Sequence, residues 1–143
     1  MSYLVFSRAA HTIELHSAKG QVLGAWTAYN HVDSKSRGTW PDGRYSFSHY
    51  VAHAGLGVDS AYGTHGIFVF DVPGRSGMGV HAGRLHASHQ PGPAHATMGC
   101  IRTTEDALAK IQAVHATDPL TYILVGIGMV GDFPKPRTDV AYA

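Results

Sequence analysis

The chain holds one cysteine, Cys100, in the stretch "ATMGCIRTTEDAL" (94–106), directly after Gly99 and just ahead of a helix start. A cysteine so placed has three readings: a small core filler, a metal ligand or a nucleophile. Cysteine is among the most buried residue types, so simple burial is the first alternative for an isolated one. Gly99 lets the backbone turn sharply enough for successive N–H groups to point at one spot, a nest that can hold a developing oxyanion. The positive end of a following helix dipole would favour a thiolate. A nucleophilic thiol needs a base within reach. His81 is the candidate: it ends the short apolar run "MGVHA" (78–82), and strand alternation turns Val80 and Ala82 the other way. One surface histidine among 11 is the alternative reading of His81.

The elements that must position these groups are mostly strands. "YLVFS" (3–7), "HTIELHS" (11–17) and "VLGAWTAY" (22–29) read as a meander with a turn at "SAKGQ". "PDG" (41–43) signals a turn, with Pro41 fixing φ and Gly43 allowing positive φ. "RYSFSHYV" (44–51) alternates as a strand, and "IFVFDV" (67–72) is apolar enough to be a buried one. Residues 52–66 are glycine-rich loop. Residues 83–98 carry two prolines and two glycines and read as a long loop, a type that is usually functional or disordered. One helix is expected from an N-cap at Thr103, with Asp106 three residues on and Ala107, Leu108, Ile111 and Val114 forming its apolar face. "DP" (118–119) ends it, and "TYILVGIGMV" (121–130) is a last strand. The expected architecture is mainly β with one principal helix, in a single domain over 1–130 followed by a tail at 131–143.

With these elements laid out, the string His81–x15–Thr97–Met98–Gly99–Cys100–Ile101–Arg102 resembles the signature of the L,D-transpeptidase (YkuD-like) catalytic domain. That signature is a histidine, a gap of this length, Ser/Thr-His-Gly-Cys, an apolar residue, and Asn or Arg. "GTWPDGRYSF" (38–47) resembles the family's Thr-Pro-x-Gly-x-Phe/Tyr segment, and "HTIELHSAKGQVLGAWTAY" its opening hairpin. The resemblance implies a β-sandwich or barrel with its active site under a mobile loop. It implies that Cys100 attacks a peptidoglycan stem peptide at the bond between the third residue and the terminal D-alanine, forming a thioester. An amine of another stem then takes the acyl group, or water takes it in an L,D-carboxypeptidase reaction. His81 would be the base, oriented by the carbonyl of Ala82. The N–H groups of Gly99 and Cys100 would form the oxyanion hole. Arg102 would shape the pocket or bind a carboxylate, and Thr97 and Met98 would line the substrate side. Met98 stands where the family has its second histidine, a change that bears on substrate positioning and acceptor choice more than on activation of the nucleophile. The resemblance places the activity in the bacterial envelope or periplasm, or outside the cell.

Composition sets the remaining bounds. The chain has 143 residues, 44% hydrophobic and 15% charged, which fits one globular domain rather than a disordered chain. A net charge of +1 gives no argument for nucleic acid. No apolar run is long enough to span a bilayer, and the first residues lack the basic-then-apolar layout of a secretory signal. A lone cysteine excludes an internal disulfide and a multi-thiolate zinc site within the chain. His86, His89 and His95 crowd the loop after His81, but their spacing is not that of metal ligands, and neither a native metal nor a cofactor is expected. Arg84 could hold a stem-peptide carboxylate bidentately or be an ordinary surface arginine. Trp40 and Tyr45 are expected to pack in the core or at its edge. Two other functions fit the same residues: a toxin delivered into a rival's periplasm with the same chemistry, and a non-catalytic cell-wall or metal-binding module on the same fold.

Overall fold

The structure is a computed structural model that describes residues 1–33, 38–52 and 57–126. Eight strands close into a barrel in the order β1-β2-β3-β7-β6-β5-β4-β8. They are β1 (Ser2–Ser7), β2 (Thr12–His16), β3 (Val22–Tyr29), β4 (Gly43–Val51), β5 (Ile67–Phe70), β6 (Gly79–His81), β7 (Ile101–Thr103) and β8 (Leu120–Gly126). One helix, α1 (Glu105–His115), and a 3-10 turn at Gly92–Ala94 complete the described elements. The β1–β8 and β6–β7 ladders are parallel, and the other pairings are antiparallel.

Closure explains the hydropathy pattern. Side chains alternate along a strand, so one set fills the barrel interior: Leu4, Phe6, Ile13, Leu15, Phe68, Phe70, Val80, Ile101 and Ile123 belong to one buried cluster. β1 and β8 are buried along almost their whole length because their outer faces also stack. Tyr3, Val5, Tyr122 and Leu124 form a second cluster there, with the rings of Tyr3 and Tyr122 parallel at 4.8 Å and Arg44 over Tyr122 at 4.6 Å. Trp40 and Tyr45 are buried and meet edge to face at 5.6 Å. The 17–21 turn forms as expected, with Gly20 at φ +81. Gly43, by contrast, opens β4 without a positive φ.

Two readings of the sequence need correction. The N-cap of α1 is Thr104, whose hydroxyl accepts the Ala107 N–H at 3.1 Å. Thr103 ends β7 instead, its hydroxyl donating to the Thr27 carbonyl at 2.8 Å. The segment directly after Cys100, read as the approach to a helix, is therefore the three-residue strand β7. It is too short to carry a visible period, and its pairing with β3 on one side and β6 on the other makes it a strand. The expected apolar face of α1 holds: Ala107, Leu108 and Ile111 are buried, and Val114 packs against the same core. The final strand ends at Gly126 among the described residues, and the expected 131–143 tail lies outside them. Among the described residues, no helix is long and apolar enough to cross a membrane.

Candidate active site

The parallel β6–β7 ladder builds the site. Val80 pairs with Ile101 and His81 with Arg102. Val80 and Ile101 are fully buried in the barrel core, so alternation turns His81, Cys100 and Arg102 together onto the opposite face. Diagonal neighbours on adjacent strands lie about 7–8 Å apart at the backbone, a span that an imidazole and a thiol can close between them. The ladder pairs residues 21 positions apart and so brings His81 and Cys100, 19 apart in the sequence, onto neighbouring segments; fifteen residues lie between His81 and Thr97.

His81 is 1% exposed, and its Nδ1 lies 2.7 Å from the Ala82 carbonyl. A carbonyl only accepts, so Nδ1 carries a proton, and in the neutral ring Nε2 is then the basic nitrogen. The Tyr62 ring meets the imidazole edge to face at 4.9 Å. Tyr62 was not singled out from the sequence; it lies in the glycine-rich loop 52–66, whose composition gives no sign that it roofs the site.

Cys100 is half-buried. Its thiol donates to the Gly77 carbonyl at 3.7 Å. Burial pushes the Cys100 thiol above its ordinary range, and the Gly79 N–H on the sulfur and the charge of Arg102 only partly offset this. The expectation of a dipole-stabilised thiolate is thus corrected: β7 separates Cys100 from the helix, and desolvation dominates.

The turn that presents Cys100 is held from three sides. Gly99 has φ +143, a conformation open to glycine. Its carbonyl accepts the Trp40 indole N–H at 2.7 Å and the Asn30 amide at 3.0 Å. Asn30 in turn accepts the Trp40 backbone N–H at 2.9 Å. Across a trans peptide, a Gly99 carbonyl fixed in this direction aims the Cys100 N–H the opposite way. The Gly99 N–H is not available for the expected oxyanion hole: it donates to Thr97 Oγ1 at 3.0 Å, and that hydroxyl donates to the Cys100 carbonyl at 2.7 Å. Thr97, 8% exposed, is therefore a brace inside the turn rather than a group facing substrate. Asn30 sits in a polar run with no distinguishing signal in the sequence, and Trp40 carries there only the signal of a packing residue.

Arg102 is 3% exposed and its donors go to backbone carbonyls, so it does not present a free fork to a carboxylate. Arg84 is exposed, and its guanidinium forms no hydrogen bond or ion pair with another described residue. Met98 is 62% exposed beside the buried Gly99. The loop histidines do not converge. His86 meets Asp59 at 3.1 Å and His95 meets the His89 carbonyl at 3.0 Å, and among the described residues no three His, Cys, Asp or Glu side chains are grouped to hold a metal. The loop over the site is tied down at Glu105, whose carboxylate accepts from the Thr64 hydroxyl at 2.8 Å and lies 2.9 Å from His65 Nδ1.

The mainly-β closed barrel with one helix is an L,D-transpeptidase-like fold. Solved structures bear this out. L,D-transpeptidase 1 of Mycobacterium tuberculosis superposes with a TM-score of 0.53 at 24% identity, covering 87% of this chain and 61% of that one. The L,D-transpeptidase of Xylanimonas cellulosilytica gives 0.56 at 16% identity, covering 87% and 59%. Bd1075 of Bdellovibrio bacteriovorus gives 0.64 at 17% identity, covering 86% and 46%. The chain thus spans about half to three-fifths of the length of these structures. No family model matches the sequence, and no curated protein does.

Proposed function

We propose that the chain is a cysteine acyltransferase acting on peptidoglycan stem peptides, as an L,D-transpeptidase or L,D-carboxypeptidase. The observation that carries this reading is the β6–β7 register, which sets a half-buried thiol and a buried imidazole of fixed tautomer on one face of adjacent strands. In the first half-reaction His81 Nε2 takes the proton of the Cys100 thiol as the sulfur attacks the carbonyl of the third stem residue. The Cys100 N–H stabilises the oxyanion. The C–N bond to D-alanine then breaks, the proton passes from His81 to the departing amine, and a thioester is left. In the second half-reaction an amine or water attacks, His81 takes its proton, and the sulfur leaves and is reprotonated. Arg84, exposed near the site, is the side chain suited to hold a stem carboxylate. Met98 offers the substrate an apolar surface where the family signature has an imidazole.

The test is mass spectrometry of tetrapeptide muropeptides incubated with the protein. Release of D-alanine, abolished in Cys100→Ala and cut severely in His81→Ala with both variants folded, is the expected result. Full activity in Cys100→Ala would refute the mechanism. The rival, a non-catalytic cell-wall or metal-binding module on the same fold, has Met98 at the motif position as its best support and predicts neither trimming nor cross-linking in the same assay.

A further inference from the structure

A buried guanidinium normally sits against a carboxylate. Arg102 does not: among the described residues it forms no ion pair. Its Nε donates to the Ala82 carbonyl at 3.2 Å, one Nη to the carbonyls of His95 and Ala96 at 2.5 and 3.2 Å, and the other Nη to the Ala61 carbonyl at 2.8 Å. These carbonyls belong to three places: the loop that carries Tyr62, the end of the long 83–98 loop, and the residue that orients His81. The Ala82 carbonyl therefore accepts from both His81 Nδ1 and Arg102 Nε. The charge of Arg102 meets carbonyl dipoles rather than a carboxylate, and it stands on β7 two residues after Cys100.

Given the acyl-transfer reading above, we propose that Arg102 is a positioning residue with two separable tasks. Its planar fork locks both covering loops to the carbonyl that orients the base, and its charge supplies the counter-ion for the negative charge that forms at Cys100. Lysine would keep the second task and lose most of the first, because an ammonium has no fixed fork to span carbonyls from three segments. A neutral residue would lose both. Burial and the charge of Arg84 lower the Arg102 pKa to about 10, so the group is still a cation near neutral pH.

The test follows Cys100 alkylation by iodoacetamide against pH, with hydrogen exchange of the two loops measured in parallel. A unit charge about 7 Å away, two residues along an extended chain, shifts an ionisation by roughly one and a half to two pH units at an effective dielectric near 20. Arg102→Met should therefore move the alkylation midpoint up by about one and a half units and speed exchange at 57–66 and 83–98. Arg102→Lys should speed exchange as much and leave the midpoint within about 0.3 unit of the parent, a split expected if charge acts separately from the fork. If Arg102→Met does not fold, Arg102→Gln takes its place in the same comparison. A folded neutral variant with an unmoved midpoint overturns the charge role, and unchanged exchange in Arg102→Lys overturns the clamp. Alkylation needs no peptidoglycan, so a protein inert on muropeptides yet showing this split would sink the acyl-transfer reading and leave the Arg102 inference standing.

Discussion

Thr97→Val tests whether the cysteine turn is held by a side chain. The swap keeps the shape and removes one hydroxyl. The Cys100 carbonyl loses a donor at 2.7 Å but keeps the Asn30 amide at 3.2 Å. The Gly99 N–H loses its acceptor at 3.0 Å, and Gly99 is buried. Leaving one buried donor unpaired costs about 1–3 kcal/mol. For a chain of this size that lowers Tm by roughly 3–12 °C. Because the same turn aims the sulfur and the Cys100 N–H, turnover on a muropeptide should fall about 10–100-fold, the order expected when reacting atoms move by a fraction of an ångström to an ångström. KM should change little, since Thr97 does not face substrate. Thermal denaturation and D-alanine release kinetics measure the two effects, and Thr97→Ser should restore most of both. Parent-like stability and rate in Thr97→Val, or equal damage in Thr97→Ser, would show that the brace plays no part.

Gly99→Ala places a side chain at φ +143 and a Cβ 2.8 Å from Met78 Sδ. It should cost about 1–3 kcal/mol in urea denaturation, with only partial recovery in Met78→Ala, which relieves the contact and not the dihedral. Glu105→Gln weakens the anchor of Thr64 and His65, so limited proteolysis should cut the 57–66 loop faster while the far-ultraviolet spectrum stays unchanged. Burial raises the ionisation of Cys100, Tyr3 and Tyr45 alike. The unfolded chain then gives up these protons at lower pH than the folded one, so stability is full below about pH 8.5 and declines as pH rises through the ordinary thiol and phenol ranges. Denaturation from pH 7 to 10.5 should show this decline, and Cys100→Ala should remove its lower part.

The alternating and continuous apolar runs made most strands legible, because a strand buried on one face must alternate and one buried on both cannot. The same logic found the apolar face of α1 from Ala107, Leu108 and Ile111. β7 escaped it: Ile101, Arg102 and Thr103 span too few residues to display a period. The N-cap was misplaced by one for a related reason, since Thr103 and Thr104 are chemically equivalent and only strand pairing assigns the first to β7.

Local chemistry made Cys100 with Gly99 a candidate nucleophile turn and His81 a candidate base, each beside a plain alternative, and only the resemblance of the string His81–x15–Thr97–Met98–Gly99–Cys100–Ile101–Arg102 to the L,D-transpeptidase signature joined them. Whether the two share a face was a matter of register, and register depends on which strands the barrel sets side by side. Hydrogen-bond partners were likewise beyond the linear chain. The Gly99 N–H goes to Thr97, the Gly99 carbonyl to Trp40 and Asn30, and the guanidinium of Arg102 to three separate segments. Each of those contacts crosses a turn or a sheet, and a donor chooses among nearby acceptors only once the fold has brought them within 3 Å or so.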